Sequence, residues 1–414
     1  MGRFKGSVCL VVNSFPDRDG RWKGVFNQRA AVGLSAHVDV SVVHLRAWRP
    51  GRPLLKFEDS GAFPVWRLAG PFVPPQLPWA EPISVLVYPR FSWRRIRGAL
   101  EGKTMLHSVG ASFAGVLTSY WARKAGCAHV AQVTGTDINV DLASHGWLPW
   151  VRTWTRALNG VAFNSQYLLE RFRNQFGVVP NMRTVYRGVD IERFHPEGSR
   201  NQILSGLSPV RFLFLGGLAR RAGDPEGRNR KGGETLLQAW KSAETDQRMR
   251  SASLVLAGPE TDGSIVQRWR SSLNYPDSVV PIGTLEPTDV AAYLRAADVV
   301  LIPSLSEGLP NVAVEACACG TPVVASAVGG VPEVVMDSTN GLLVPPGDAV
   351  AWKQALFECQ MHPERLAVWG ENGRRLAVGK FDGGKYVGHL LDLYEAAQAN
   401  ANEINNRYPV NLRQ

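Results

Sequence analysis

The chain has 414 residues, 45% apolar and 20% charged, with 41 Gly, 27 Pro and a net charge of +10. That apolar content excludes a disordered chain, and no run approaches the ~18 unbroken apolar residues of a membrane span. At ~150 residues per domain, the length allows two or three domains. Five scattered cysteines, Cys9, Cys127, Cys317, Cys319 and Cys359, argue against a disulfide framework and for a reducing compartment. Cys317 and Cys319 have no partner pair for zinc and read as small buried helix residues. The charge is uneven. Met1 to Asp190 holds 24 Lys and Arg against 11 Asp and Glu, and Ile191 to Gln414 holds 22 against 25. The first half is therefore +13 and the second −3, which suggests two domains with different partners, the basic one facing an anion.

In chain order, Val8–Asn13 reads as a first strand, too short for the apolar region of a signal peptide. A helix over Gly24–Ser35 and a strand over Val38–His44 follow. The Pro-rich stretch Gly51 to Pro82 reads as an irregular insertion. Strands are then expected at Met105–His107, Val130–Thr134 and Val161–Asn164, with helices at Ala111–Ala125 and Gln166–Phe176. Turn residues between Arg193 and Pro209 mark the domain boundary. Beyond it, strands at Arg211–Gly216, Leu254–Ala257, Val279–Gly283, Val299–Pro303, Val323–Ser326 and Leu342–Val344 alternate with helices. Those helices are Glu234–Thr245, Ser264–Leu273, Asp289–Ala296, Pro310–Cys319 and Ala349–Cys359. Val/Leu/Ile runs between helices are the pattern of parallel sheets covered on both faces. The expected architecture is α/β, with two doubly wound Rossmann-like domains over 1–195 and 205–380. An amphipathic helix over 381–400 and a polar tail over 401–414 complete it.

The segment from Pro303 to Val323 carries the most chemistry. A strand ends, a turn bears Glu307 and Gly308, and a helix starts near Leu309 or Pro310, ending at Gly320. Strand end, free helix amides and macrodipole make an anion site. Glu307 and Glu315 cannot bind phosphates, so they should accept hydrogen bonds from the hydroxyls of a ribose or hexose. The basic stretch ending at Lys231, before Gly232 and a helix, also suits an anion. It does not match a P-loop, and no G-x-G-x-x-G follows the first strand.

The Glu307-x7-Glu315 segment, continued by Gly320-Thr-Pro-Val-Val and Val328-Gly-Gly-Val-Pro-Glu333, resembles the signature of glycosyltransferase family 4. Its members are retaining, nucleotide-sugar-dependent enzymes of GT-B fold, many acting in bacterial surface-polysaccharide assembly. Arg187-Gly-Val-Asp-Ile-Glu-Arg-Phe-His-Pro196 is similar to the family's interdomain segment, and Gly24-Val-Phe-Asn-Gln28 to its N-terminal glycine loop. The resemblance implies a cleft between the domains and a closing helix that crosses back. It implies that Glu307 contacts the donor sugar and Glu315 the nucleotide ribose, with Gly308, Leu309, Pro310 and Asn311 holding the diphosphate by main-chain amides. It also makes Gly24 a donor-side residue and Lys231 the donor-clamp lysine. The family's usual clamp arginine falls at Gly217 here, so the missing cation is expected from the following loop, at Arg228 or Arg230.

On the acceptor side, the segments His107–Gly115 and Thr134–Val140 resemble the family's pair, with Thr134 where many members carry His. His107 is read either as a ligand contact or as a hydrogen-bonded structural residue. Asp137 is read either as the base for the acceptor hydroxyl or as a helix cap. The segment Tyr88–Arg97 mixes four Arg with three aromatics and reads as a face for an anionic membrane in preference to a solvated face or nucleic acid.

The resulting expectation is a retaining hexosyltransferase. Its expected donor is a nucleotide diphosphate sugar, UDP- favoured over GDP-, and its expected acceptor a hydroxyl on a lipid-linked saccharide. No metal and no tightly bound cofactor are expected, and the site is cytoplasmic, peripheral on the inner face of the plasma membrane. The alternatives are a degenerate nucleotide-sugar-binding protein and a GT-B epimerase or phosphorylase.

Overall fold

The computed structural model describes residues 4–17, 24–70, 80–111, 113–135, 137–141, 154–218 and 229–407. The chain divides into two compact units, 1–186 with 385–414, and 187–384. The first is built on eight strands: β1 (Ser7–Val12), β2 (Asp39–Ala47), β3 (Leu55–Asp59), β4 (Pro64–Gly70), β5 (Met105–Val109), β6 (Ala128–Val133), β7 (Gly160–Phe163) and β8 (Met182–Thr184). Their order is β3-β4-β2-β1-β5-β6-β7-β8. All neighbours are parallel except the β3–β4 pair.

Strand periodicity places this sheet between two helical layers. Val8, Leu10 and Val12 pack with Ala31 and Leu34 of the helix Val25–Ser35 and with Leu390, Leu393 and Tyr394 of the helix Gly383–Arg407. Cys9 and Val11 face the other way, toward Ile96 and Leu100 of the helix Ala80–Leu100 and Leu117 and Trp121 of the helix Phe113–Ala125. The C-terminal helix is also pinned by polar bonds. Tyr386 Oη donates to Gln132 Oε1 at 2.9 Å, and Asn181 Nδ2 to the Ala396 carbonyl at 3.2 Å.

The second unit holds β9 (Arg211–Leu215), β10 (Ser253–Ala257), β11 (Val279–Gly283), β12 (Val299–Ile302), β13 (Val323–Ser326) and β14 (Gly341–Val344). They form one all-parallel sheet in the order β11-β10-β9-β12-β13-β14. Phe212, Phe214, Leu254 and Leu256 pack with Leu236 and Trp240 of the helix Gly233–Ala243 and with Trp352 and Leu356 of the helix Ala349–Met361.

One expectation is corrected. The stretch after Gly51 is regular: β3 runs antiparallel to β4, Leu55 opposite Leu68, and β4 is parallel to β2. The prolines there lie at or outside strand ends, which masked the strands. The Arg- and aromatic-rich segment is helical within Ala80–Leu100, with Pro89 inside the helix. The unit boundary falls at 186/187, ahead of the turn-rich stretch. Val189 N–H donates to the Phe381 carbonyl at 2.7 Å, and Gly383 N–H to the Val189 carbonyl at 2.8 Å, which ties this segment to the C-terminal unit. Arg374 Nη1 adds a bond to the Phe194 carbonyl at 2.9 Å.

All five cysteines are free thiols. Burial pushes Cys317 and Cys319 up to about 12, so neither is a thiolate near neutral pH. Two core histidines are held neutral. Burial first, then the nearby Arg67 charge, lowers His44 from 6.5 to about 4. Burial, then His107, lowers His129 from 6.5 to about 3. Unfolding frees both to take protons at their ordinary value. Their contribution is thus present above pH 6.5 and is lost as pH falls toward 4 and 3, by up to ~1.4 kcal/mol per pH unit per group. Urea unfolding midpoints measured from pH 7 to pH 5 should fall, and His129→Gln should reduce the slope by about one proton's worth. An unchanged slope would reject the buried-neutral assignment.

Candidate active site

In an open parallel sheet, ligands bind beyond the carboxyl ends of the strands where the strand order reverses. In the second unit that point lies between β9 and β12. The loop after β9 returns at Asn229, and the loop after β12 runs from Pro303 into the helix Asn311–Ala318.

Lys231 Nζ donates to Glu307 Oε1 at 2.7 Å, and Ser304 Oγ donates to the same oxygen at 2.7 Å. Ser304 is buried, Glu307 is 11% exposed and Lys231 49% exposed at the side chain. A half-exposed ion pair stabilises a fold by only about 0–1 kcal/mol. Its place at the switch point is therefore better explained by ligand chemistry than by stability.

Main-chain bonds hold both halves of this pair. Asn229, buried, accepts from Lys231 N–H at 2.7 Å through Oδ1 and donates to the Gly217 carbonyl at 3.2 Å through Nδ2. The Arg230 carbonyl accepts from Leu305 N–H at 2.8 Å. Lys231 is thus stapled to the turn after β9 and to the loop after β12. Gly330 N–H donates to the Gly308 carbonyl at 3.0 Å. Gly329 has φ +57°, and a Cβ there would sit 1.9 Å from the Glu307 carbonyl oxygen. Only glycine lets this loop seat against the Glu307 backbone.

The helix after Glu307 begins at Asn311, with Pro310 capping it in an extended conformation. Its first amides have no intrahelical acceptors and point out of the helix start. Gly308 and Pro310 are buried, and Leu309 and Asn311 half-buried. Glu315 lies within the helix and is 8% exposed. Glu307 and Glu315 therefore stand on different elements, a loop and a helix.

Gly217 has φ +70°, and a Cβ there would approach Pro259 Cδ to 2.8 Å and its carbonyl oxygen to 2.9 Å. This turn therefore has no room for a clamp arginine. Of the two candidate replacements, Arg230 is half-buried, and Arg228 lies outside the described residues.

The first unit reverses strand order between β1 and β5. Gly24 caps the helix after β1, and Asn27 Nδ2 donates to the Ser14 carbonyl at 2.7 Å. His107 is buried on β5, with Nδ1 2.5 Å from Tyr394 Oη, which matches the hydrogen-bonded arm of its two readings. Asp137 is a staple. It accepts from the amides of Gly135 (2.7 Å), Ala111 (2.8 Å), Thr134 (3.1 Å) and Ile138 (3.2 Å). Burial raises its pKa against the pull of those four donors. With its oxygens spent on the backbone, Asp137 ties the loops after β5 and β6 together. Thr134, half-buried, joins that staple through its amide. Ser304 and Asn229 carried no motif; their importance is visible only through partners distant in sequence.

A six-stranded parallel sheet wound in both directions, with cation, carboxylate and helix start at its switch point, makes the second unit a Rossmann-like domain, as is the first. The segment 211–360, within the second unit, matches the family model "Glycosyl transferases group 1". A D-inositol 3-phosphate glycosyltransferase of Saccharomonospora viridis is 36% identical over 228 residues, 53% of this chain and 51% of that protein. The chain thus matches about half the length of that relative. A GDP-mannose-dependent alpha-(1-6)-phosphatidylinositol monomannoside mannosyltransferase of Mycolicibacterium smegmatis is 28% identical, over 95% of this chain and 100% of that protein. The sucrose-phosphate synthase structure from Thermosynechococcus elongatus superposes with a TM-score of 0.73 at 22% identity, covering 95% of this chain and 99% of that one. The fold is GT-B.

Lys231→Ala should leave the unfolding free energy from urea titration within about 1 kcal/mol of wild type, while binding of nucleotide sugars by calorimetry drops at least tenfold. Gly329→Ala should weaken the same binding through the displaced Glu307 loop. Full affinity in either variant would dissociate this pair from ligand binding.

Proposed function

We propose that the protein is a retaining glycosyltransferase. It moves a hexose from a nucleoside diphosphate sugar to a hydroxyl of a saccharide acceptor, lipid-linked in kind. The observation that carries this is the Lys231–Glu307 pair, 2.7 Å apart at the switch point beside a helix start. Lys231 takes the diphosphate, Glu307 the sugar hydroxyls and Glu315 the ribose. Amides of residues 308–311 complete the diphosphate site.

In the reaction the bond from the anomeric carbon to the β-phosphate oxygen breaks, and the acceptor oxygen bonds on the same face. The acceptor proton passes to the departing phosphate oxygen. Lys231 and the helix start stabilise the charge that develops there. No protein base is required, in keeping with Asp137 being spent on backbone amides.

Peripheral attachment to an anionic membrane fits the helix Ala80–Leu100. Val87 and Phe91 are exposed beside Arg90, Arg94 and Arg97, and the Arg95 guanidinium lies 3.8 Å from the Phe91 ring centre. No helix among the described residues is long and apolar enough to cross a membrane. The name of the full-length relative joins GDP-mannose to a phosphatidylinositol mannoside, which supports a lipid-linked acceptor. The donor base is open to direct test, UDP being favoured by the sequence reading.

Thermal unfolding of the full chain with UDP-glucose and with GDP-mannose tests the assignment. One nucleotide class should raise Tm, and Lys231→Ala should abolish the shift. A chain indifferent to both classes would overturn the proposal. Phe91→Asp should reduce pelleting with phosphatidylglycerol vesicles; undiminished pelleting would move the membrane face elsewhere.

A further inference from the structure

The first unit gathers arginines at the carboxyl ends of its strands. His44 on β2 stands opposite Arg67 on β4 in the register, and Arg46, two residues further along β2, shares their face. Arg67 is buried and fully directed. Its Nε donates to Glu58 Oε2 at 2.6 Å, its Nη2 to the Pro16 carbonyl at 2.8 Å, and its Nη1 lies 2.8 Å from His44 Nδ1. An arginine only donates, so His44 Nδ1 is the acceptor and the imidazole proton sits on Nε2. Arg46 is different. It is half-buried, and its Nε is shielded from solvent without a hydrogen-bond partner among the described residues. Burial first, then the charges of Arg52 and Arg67, hold its guanidinium below the ordinary range, against the smaller pull of Glu58 and Asp17.

Among the described residues, the charges of Arg52 and Arg67 bear on Arg46 more strongly than those of Glu58 and Asp17, so the positive charge is in excess where a donor lacks an acceptor. The carboxyl ends of strands are where this fold class takes ligands. The segment that carries Pro16 also carries Ser14, whose carbonyl receives Asn27 beside the Gly24 turn. The cluster is therefore continuous with the ligand end of the first unit's sheet. A planar guanidinium with an unused donor matches a phosphate oxygen in geometry and charge.

We propose that Arg46, with Arg67 fixed beside it, binds a phosphate group of the acceptor substrate. The proposal deepens the transferase reading and rests on it for the word acceptor; the anion site itself stands apart from the donor site of the second unit. The phosphate belongs either to a soluble sugar phosphate, a monoester, or to a lipid, a diester.

The test is calorimetry on the full chain carrying Lys231→Ala, so that the donor clamp does not take up the probe. The probes are glucose 6-phosphate, glucose, and dihexanoylphosphatidylglycerol as soluble monomer. At least one phosphate probe should bind while glucose does not, and adding Arg46→Gln should raise its Kd at least tenfold. Arg46→Lys, which keeps the charge and loses the fork, should fall between. Whichever phosphate probe responds to Arg46→Gln identifies the source as sugar phosphate or lipid. Unchanged urea midpoints and undiminished UDP binding in Arg46→Gln alone would show that the fold and donor site are intact. Absence of binding by both phosphate probes, or a Kd indifferent to Arg46→Gln, would overturn the proposal. If nucleotide sugars fail to bind the wild-type chain while the phosphate probe binds, the transferase reading falls and the anion site remains.

Discussion

The adjacency of β9 and β12 is the constraint on which the candidate site depends. Lys231 and Glu307 are 76 residues apart in sequence. They meet because the chain lays β10 and β11 to one side of β9 and then returns to add β12 on the other. Loops leaving neighbouring strands in opposite directions part and leave a crevice between them. Lys231 comes from one lip and Glu307 from the other. The bond from Leu305 N–H to the Arg230 carbonyl holds the lips together at the backbone. Side-chain chemistry is thus supported by main-chain bonding, which sets position more firmly than two flexible side chains could.

Much of the second unit was legible because its strands are β-branched runs punctuated by Gly and Pro. Strand Val323–Ser326 was read to the residue. The motif around Glu307 also carried its own context: strand end, turn, helix start. The first unit was less legible. The Gly51–Pro82 stretch hid two strands because its prolines dominate the local signal. Pro89 concealed a long helix for the same reason. Val189 is held by the backbone of Phe381 and Gly383, far along the chain, a pairing that no local signal announces. His107 and Asp137 show the limit of local reading. Their residue types suit catalysis, and only their partners, Tyr394 and four amides, reveal structural work.

The two units treat cations differently. In the second unit the useful lysine is set among neutral, hydrogen-bonding neighbours, and its one carboxylate partner is itself a ligand candidate. In the first unit arginines are concentrated on one sheet face and along the helix Ala80–Leu100, where apolar side chains alternate with them. The charge asymmetry of the sequence therefore has structural addresses: a strand-end cluster around Arg46 and Arg67, and an exposed helix face around Arg90 and Arg94.

The helix that closes the chain also sets the order in which the protein can be made. Leu390, Leu393 and Tyr394 fill the same cluster as β1, although they are translated long after it. When the ribosome has finished the first 186 residues, one face of their sheet still lacks its cover. The intervening unit, continuous from 187 to 384, has all its strands before that cover emerges. The first unit begun is thus completed only after the second has been made, and until then its apolar strand surface is open to misassociation.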